Sequence, residues 1–100
     1  MPILIIWVEG KDSCEKAEEL ARKLLESGRV RGGIPLSCYD DKAMLEFPNI
    51  QQDATISIVA ECKQLSEKKG LTAIVSEGIY KTVSLLGTEK MDKATILTIY

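Results

Sequence analysis

The spacing of apolar residues changes several times along the chain, and each change marks an element. The run 2–9 (PILIIWVE) is apolar at consecutive positions and rich in β-branched residues, which predicts a central strand buried on both faces. From Asp12 to Ser27 the spacing shifts to threes and fours. Cys14, Ala17, Leu20, Ala21, Leu24 and Leu25 then share one side of a predicted helix. Glu18 with Arg22 and Glu19 with Lys23 are stabilising pairs on its other side. Asp12 followed three residues later by Glu15 predicts a capping box, and Gly28 predicts the stop.

Beyond the glycine-rich loop Gly28–Gly33, the segment Ile34–Tyr39 reads as a second strand and Asp40–Lys42 as a turn. Ala43–Phe47 continues extended or as a short helical turn, and Pro48-Asn49 is a further break. The segment Ala54–Glu61 (ATISIVAE) alternates and is dense in β-branched residues, so a strand is expected there. Lys63–Gly70 is polar and reads as a loop or a helical turn. Leu71, Ile74, Val75, Ile79, Val83 and Leu86 fit one face of a helix over Leu71–Leu86, stopped by Gly87, and Lys93–Tyr100 (KATILTIY) closes the chain as a strand. The expected architecture is a single α+β domain over residues 1–100: two βαβ units forming a four-stranded sheet with two helices on one face. The rival reading makes Ala54–Lys69 a helix and Leu71–Ser76 a strand, giving a three-layer α/β sandwich. Strands apolar on both sides need cover on the second face, which in so short a chain argues for a homo-oligomer.

Composition narrows the chemistry. With 100 residues there is room for one domain, and 45% hydrophobic content can fill its core. Thirteen basic against fifteen acidic residues argue against nucleic acid as a partner. The absence of histidine excludes imidazole acid–base chemistry and histidine metal ligands; no cofactor or metal is implied. The first apolar run is too short to span a membrane and lacks a basic flank, so it reads as a strand rather than a signal peptide. Cys14, Cys38 and Cys62 show no C-x-x-C spacing and read as reduced thiols of a soluble, cytoplasmic protein. Trp7 reads as core, and Asp40-Asp41 as a solvated turn.

Pro2 is the first candidate for chemistry. Removal of the initiator methionine would leave a secondary amine on an apolar strand. Burial lowers the pKa of such an amine toward neutrality and makes it a general base. The start PILIIWVEGKDSCEKAEELARKLLES resembles the tautomerase superfamily, whose members begin with a catalytic proline on a strand. Glu9-Gly10-Lys11 looks like the turn of the small 4-oxalocrotonate tautomerases. LLESGRVRGGIPLSCYDDKAMLEF, ATISIVAEC and IYKTVSLLGTEKMDKATILTIY resemble later parts of the macrophage migration inhibitory factor branch. The sequence differs from the family at Phe47-Pro48-Asn49 and Glu61-Cys62-Lys63. The resemblance implies a trimer that moves a proton between carbon and oxygen of a small α-keto acid. Pro2 would be the base and Arg29 the carboxylate anchor, with Lys11 beside the substrate. Cys62 would offer a backbone N–H to developing oxyanion charge at the end of a third strand. Two other classes share the outline: an oligomeric small-molecule-binding or regulatory module of ferredoxin-like type, similar to copper-tolerance (CutA-like) or PII-like proteins, and a sulfur-relay protein resembling the DsrE group, with Cys38 or Cys62 reactive.

Overall fold

A computed structural model describes residues 3–83 and 89–100. In chain order the elements are β1 (Ile3–Glu9), α1 (Ser13–Glu26), β2 (Leu36–Cys38), β3 (Lys42–Phe47), α2 (Gln52–Lys68), β4 (Ala73–Val83) and β5 (Glu89–Ile99). The strands form one mixed sheet in the order β2-β3-β1-β5-β4. β1 lies at its centre, antiparallel to β3 and parallel to β5, which accounts for its apolar residues on both faces.

Both helices pack on one face. Leu4, Ile6 and Val8 of β1 meet Ala43, Leu45 and Phe47 of β3 and Leu97 and Ile99 of β5. Ala17, Leu20 and Leu24 of α1 cover them together with Ile58 and Cys62 of α2. Each fully buried leucine or isoleucine here contributes about 2 kcal/mol relative to exposure. α1 ends where Gly28 adopts a positive φ of 75° and donates its N–H to the Leu25 carbonyl. Its start differs from expectation. Asp12 itself sits in the left-handed region and its side chain makes no capping hydrogen bond, so the capping box does not form.

The expected strand at Ala54–Glu61 is helical. Read at helical spacing, Ile58, Cys62, Leu65 and Ser66 line one side of α2. Placing Ile58 and Cys62 in the core outweighs a β-branched propensity cost of under about 1 kcal/mol per residue. The expected helix from Leu71 is strand β4 as far as Val83, and the rest of that expectation, Gly87 included, lies outside the described residues. Here pairing decides: Ala73 to Val83 oppose Ile99 to Glu89 without interruption. These two changes alone would leave four strands; the fifth in the described sheet is β3, where Lys42–Phe47 forms a strand of its own between β2 and β1. The local states of these two segments follow the rival reading. The layering does not, because both helices share one face, and the class is α+β.

The second face is covered in part from within the chain. β5 pairs with β1 only from Ala94 onward, so the far part of the β4–β5 hairpin projects beyond β1 as an arm. Tyr80 of this arm packs against Ile3, Ile5, Met44 and Ala94, and its hydroxyl donates to Glu46 Oε2 of β3 at 2.8 Å. In a flat sheet β4 and β3 would stand three strand spacings apart, roughly 14 Å, beyond the reach of a tyrosine. The arm therefore curls over the sheet. Gly78 stands at its root, where the Cδ1 of Ile96 lies 2.7 Å from the place a Cβ would occupy. A second subunit is not needed to bury Ile5, which is 1% exposed in the single chain.

Two of the three expected thiols are not thiols. Cys14 on the first turn of α1 and Cys38 at the end of β2 form a disulfide. α1 packs beside β2, which brings together two cysteines whose sequence spacing carried no such signal. Cys62 is free and buried. Among the described residues no helix is long and apolar enough to cross a membrane.

Candidate functional site

The two ends of the sheet separate the expected site residues. Leu4 of β1 stands opposite Phe47, and Glu9 opposite Lys42. α1 runs back along the sheet and delivers Arg29 to the Leu4–Phe47 end. Lys11 follows Glu9 at the other end and is exposed. Leu4 and Glu9 are five positions apart along β1, roughly 17 Å of strand. Arg29 and Lys11 therefore cannot hold one small molecule between them. Pro2 lies outside the described residues.

At the Arg29 end an open cleft of about 480 Å³ is bounded by the loop after α1, the end of β3 and the first turn of α2. Arg29, Arg31, Glu46, Phe47, Ile50 and Gln51 are among its walls. Arg29 is held in place: its Nε lies 2.6 Å from Glu61 Oε2, and its Nη1 donates to Ser57 Oγ. Ser57 and Glu61 are one helical turn apart on α2, so they meet the guanidinium from one side. Arg31 is exposed beside it. Gln51 and Ala54 at the start of α2 line the same opening, and Gln51 gives the helix no side-chain cap. Arginines, a helix start and apolar walls at Phe47 and Ile50 suit a small anion with an apolar body.

Cys62 does not contribute in the way the resemblance implies. It lies within α2 rather than at a strand end, and its side chain is 0% exposed. Burial, and to a lesser extent Glu61, pushes its thiol up to about 12, so it stays protonated at neutral pH. A sulfur relay works through an exposed thiolate, whereas Cys62 is buried and Cys38 is occupied in the disulfide.

Ser57 and Glu61 were missed from the sequence because their segment was read as extended. Strand alternation would place them on one face without making them neighbours, whereas an i, i+4 pair in a helix meets directly. Phe47, a departure from the tautomerase pattern, forms a cleft wall. At the far end Trp7 is half-buried rather than core. Its ring centroid lies 6.1 Å from that of Tyr39, with Lys42 Nζ 5.1 Å above it. Comparison with protein-family models and with curated proteins returned no match.

Proposed function

We propose that the chain is a binding module that takes a small carboxylate-bearing molecule in the Arg29–Arg31 cleft. The observation that carries this reading is the fixed guanidinium of Arg29. Glu61 and Ser57 orient it while the cleft beside it is bounded by Arg31, Phe47 and the start of α2. A pre-oriented arginine loses less conformational entropy on binding a carboxylate than a free one.

Keto–enol conversion, with Pro2 as general base, is the second reading. One observation favours it: β1 enters the sheet at the cleft end, where Leu4 opposes Phe47. An aryl-pyruvate distinguishes the two. Saturable heat of binding without enolisation, abolished by Arg31→Ala and Arg29→Ala, is the result expected of a binding module. Enolisation that disappears in Pro2→Ala establishes the enzyme instead. Absence of both binding and turnover overturns both readings for this ligand class.

A further inference from the structure

We propose that β4 is a self-recognition edge through which two copies of the chain join in a two-fold antiparallel pair centred on Ile79. β4 is the last strand of the sheet and is eleven residues long. Its hydrogen-bonding parity is set at its start. Thr72 and Tyr100 exchange both N–H···O bonds, at 3.1 and 2.8 Å. Pairing then continues without a bulge, so Ile74, Ser76, Gly78, Tyr80 and Thr82 turn their backbone groups toward β5. Val75, Glu77, Ile79, Lys81 and Val83 therefore direct theirs outward, along the edge. A long edge of this kind is a template for another strand.

The side chains select the strand. When Ile79 faces Ile79 of a second copy, Glu77, whose Oε2 lies 3.0 Å from Lys93 Nζ of its own hairpin, falls opposite Lys81 of that copy, and Lys81 opposite Glu77. Val75 falls opposite Val83, so the outward-facing backbone groups form a continuous ladder. Moving the two-fold axis by one residue sets Glu77 or Lys81 opposite Ile79. Moving it by two sets Glu77 against Glu77 or Lys81 against Lys81, which is unfavourable. The charge pattern thus fits a second copy in one register. The apolar content fits as well: Ile79 is 72% exposed, and Met91 on the same face of the hairpin is 66% exposed. Both would gain neighbours at the join. The surface engages itself, so it closes as a dimer rather than a filament or a trimer.

Sedimentation of the full chain against concentration tests this. The expected result is reversible association to twice the 11.0 kDa chain mass. Glu77→Lys and Lys81→Glu each set like charges opposite one another twice, and each is expected to raise the dissociation constant about tenfold or more. The double variant Glu77→Lys/Lys81→Glu restores opposite charges across the join and recovers most of the lost affinity, while the Glu77–Lys93 pair within the hairpin stays broken. Ile79→Pro removes an outward N–H and leaves the β4–β5 ladder complete, so it abolishes the dimer while circular dichroism still reports a folded chain. A monomer at every concentration, a trimer, or a dimer indifferent to the single charge variants and to Ile79→Pro overturns the proposal.

Discussion

The two faces of the sheet are closed in different ways. The helix side is a continuous apolar core in which Leu4, Ile6, Leu24, Leu45, Ile58 and Leu97 are fully buried under two helices. The opposite side has a smaller cluster of Ile3, Ile5, Met44 and Ala94, half-covered by Trp7 and Ile96 and capped by one residue of the hairpin arm, Tyr80. The first face draws its stability from area removed from water. The second depends on a curl of the backbone fastened by one hydrogen bond to Glu46. The same central strand serves both, so alternation along β1 separates a densely packed side from a thinly covered one. The edge proposed for self-recognition belongs to the hairpin that forms this thinner cover.

The contrast can be broken at three places. The largest effect is expected on the helix side: Ile58→Ala leaves a cavity under α2 and lowers unfolding free energy by about 4 kcal/mol in urea titration. Wild-type stability in that variant would remove the claim that α2 is held by core burial. Next is the covalent tie at the edge of the helix layer. Replacing Cys14 and Cys38 together by serine opens a link that spans 24 positions of sequence, and is expected to cost about 3 kcal/mol. Mass spectrometry of the unreduced wild-type chain checks the pairing independently.

The smallest effect is expected on the open face, where Tyr80→Phe keeps the ring over Ile3 and Ile5 but removes the bond to Glu46, at about 1 kcal/mol. Its pH dependence carries a sign. Burial, reinforced by Glu46, pushes the Tyr80 phenol from 10.0 up to about 12, so the unfolded chain ionises first. The stabilisation is whole below pH 10 and lost as pH rises through 12. Cys62, raised from 9.0 to about 12, acts in the same direction from a lower starting point. Alkaline melting of Tyr80→Phe should therefore keep the loss that begins near pH 9 and show a shallower loss between 10 and 12. An alkaline profile identical to wild type would place the Tyr80 hydroxyl in water.

The candidate site was readable only in part. Arg29 stood out by its place after the glycine that ends α1, and that glycine does end it. Its partners Ser57 and Glu61 depended on α2 being a helix, and Lys11 was grouped with Arg29 although β1 runs its length between them. The disulfide had no local signal, since Cys14 and Cys38 meet only after α1 lies along β2.

Where one segment carries its own periodicity, the sequence by itself determined the element. The consecutive apolar residues of 3–9 require a strand covered on both sides, and the three-and-four spacing of Ala17, Leu20 and Leu24 requires a helix with one buried face. The closing strand follows from its alternation in the same way. At Ala54–Glu61 and Leu71–Val83 both periods fit, and intrinsic propensities differ by less than the burial of one side chain. Only the tertiary structure decided there. Ile58 and Cys62 reach the core when the first segment is helical, and the second pairs along its whole described length with β5 when it is extended. The curl that brings Tyr80 to Glu46 belongs to the same class: it joins residues 34 positions apart, and it exists because the hairpin outruns β1 and has an apolar face to close over.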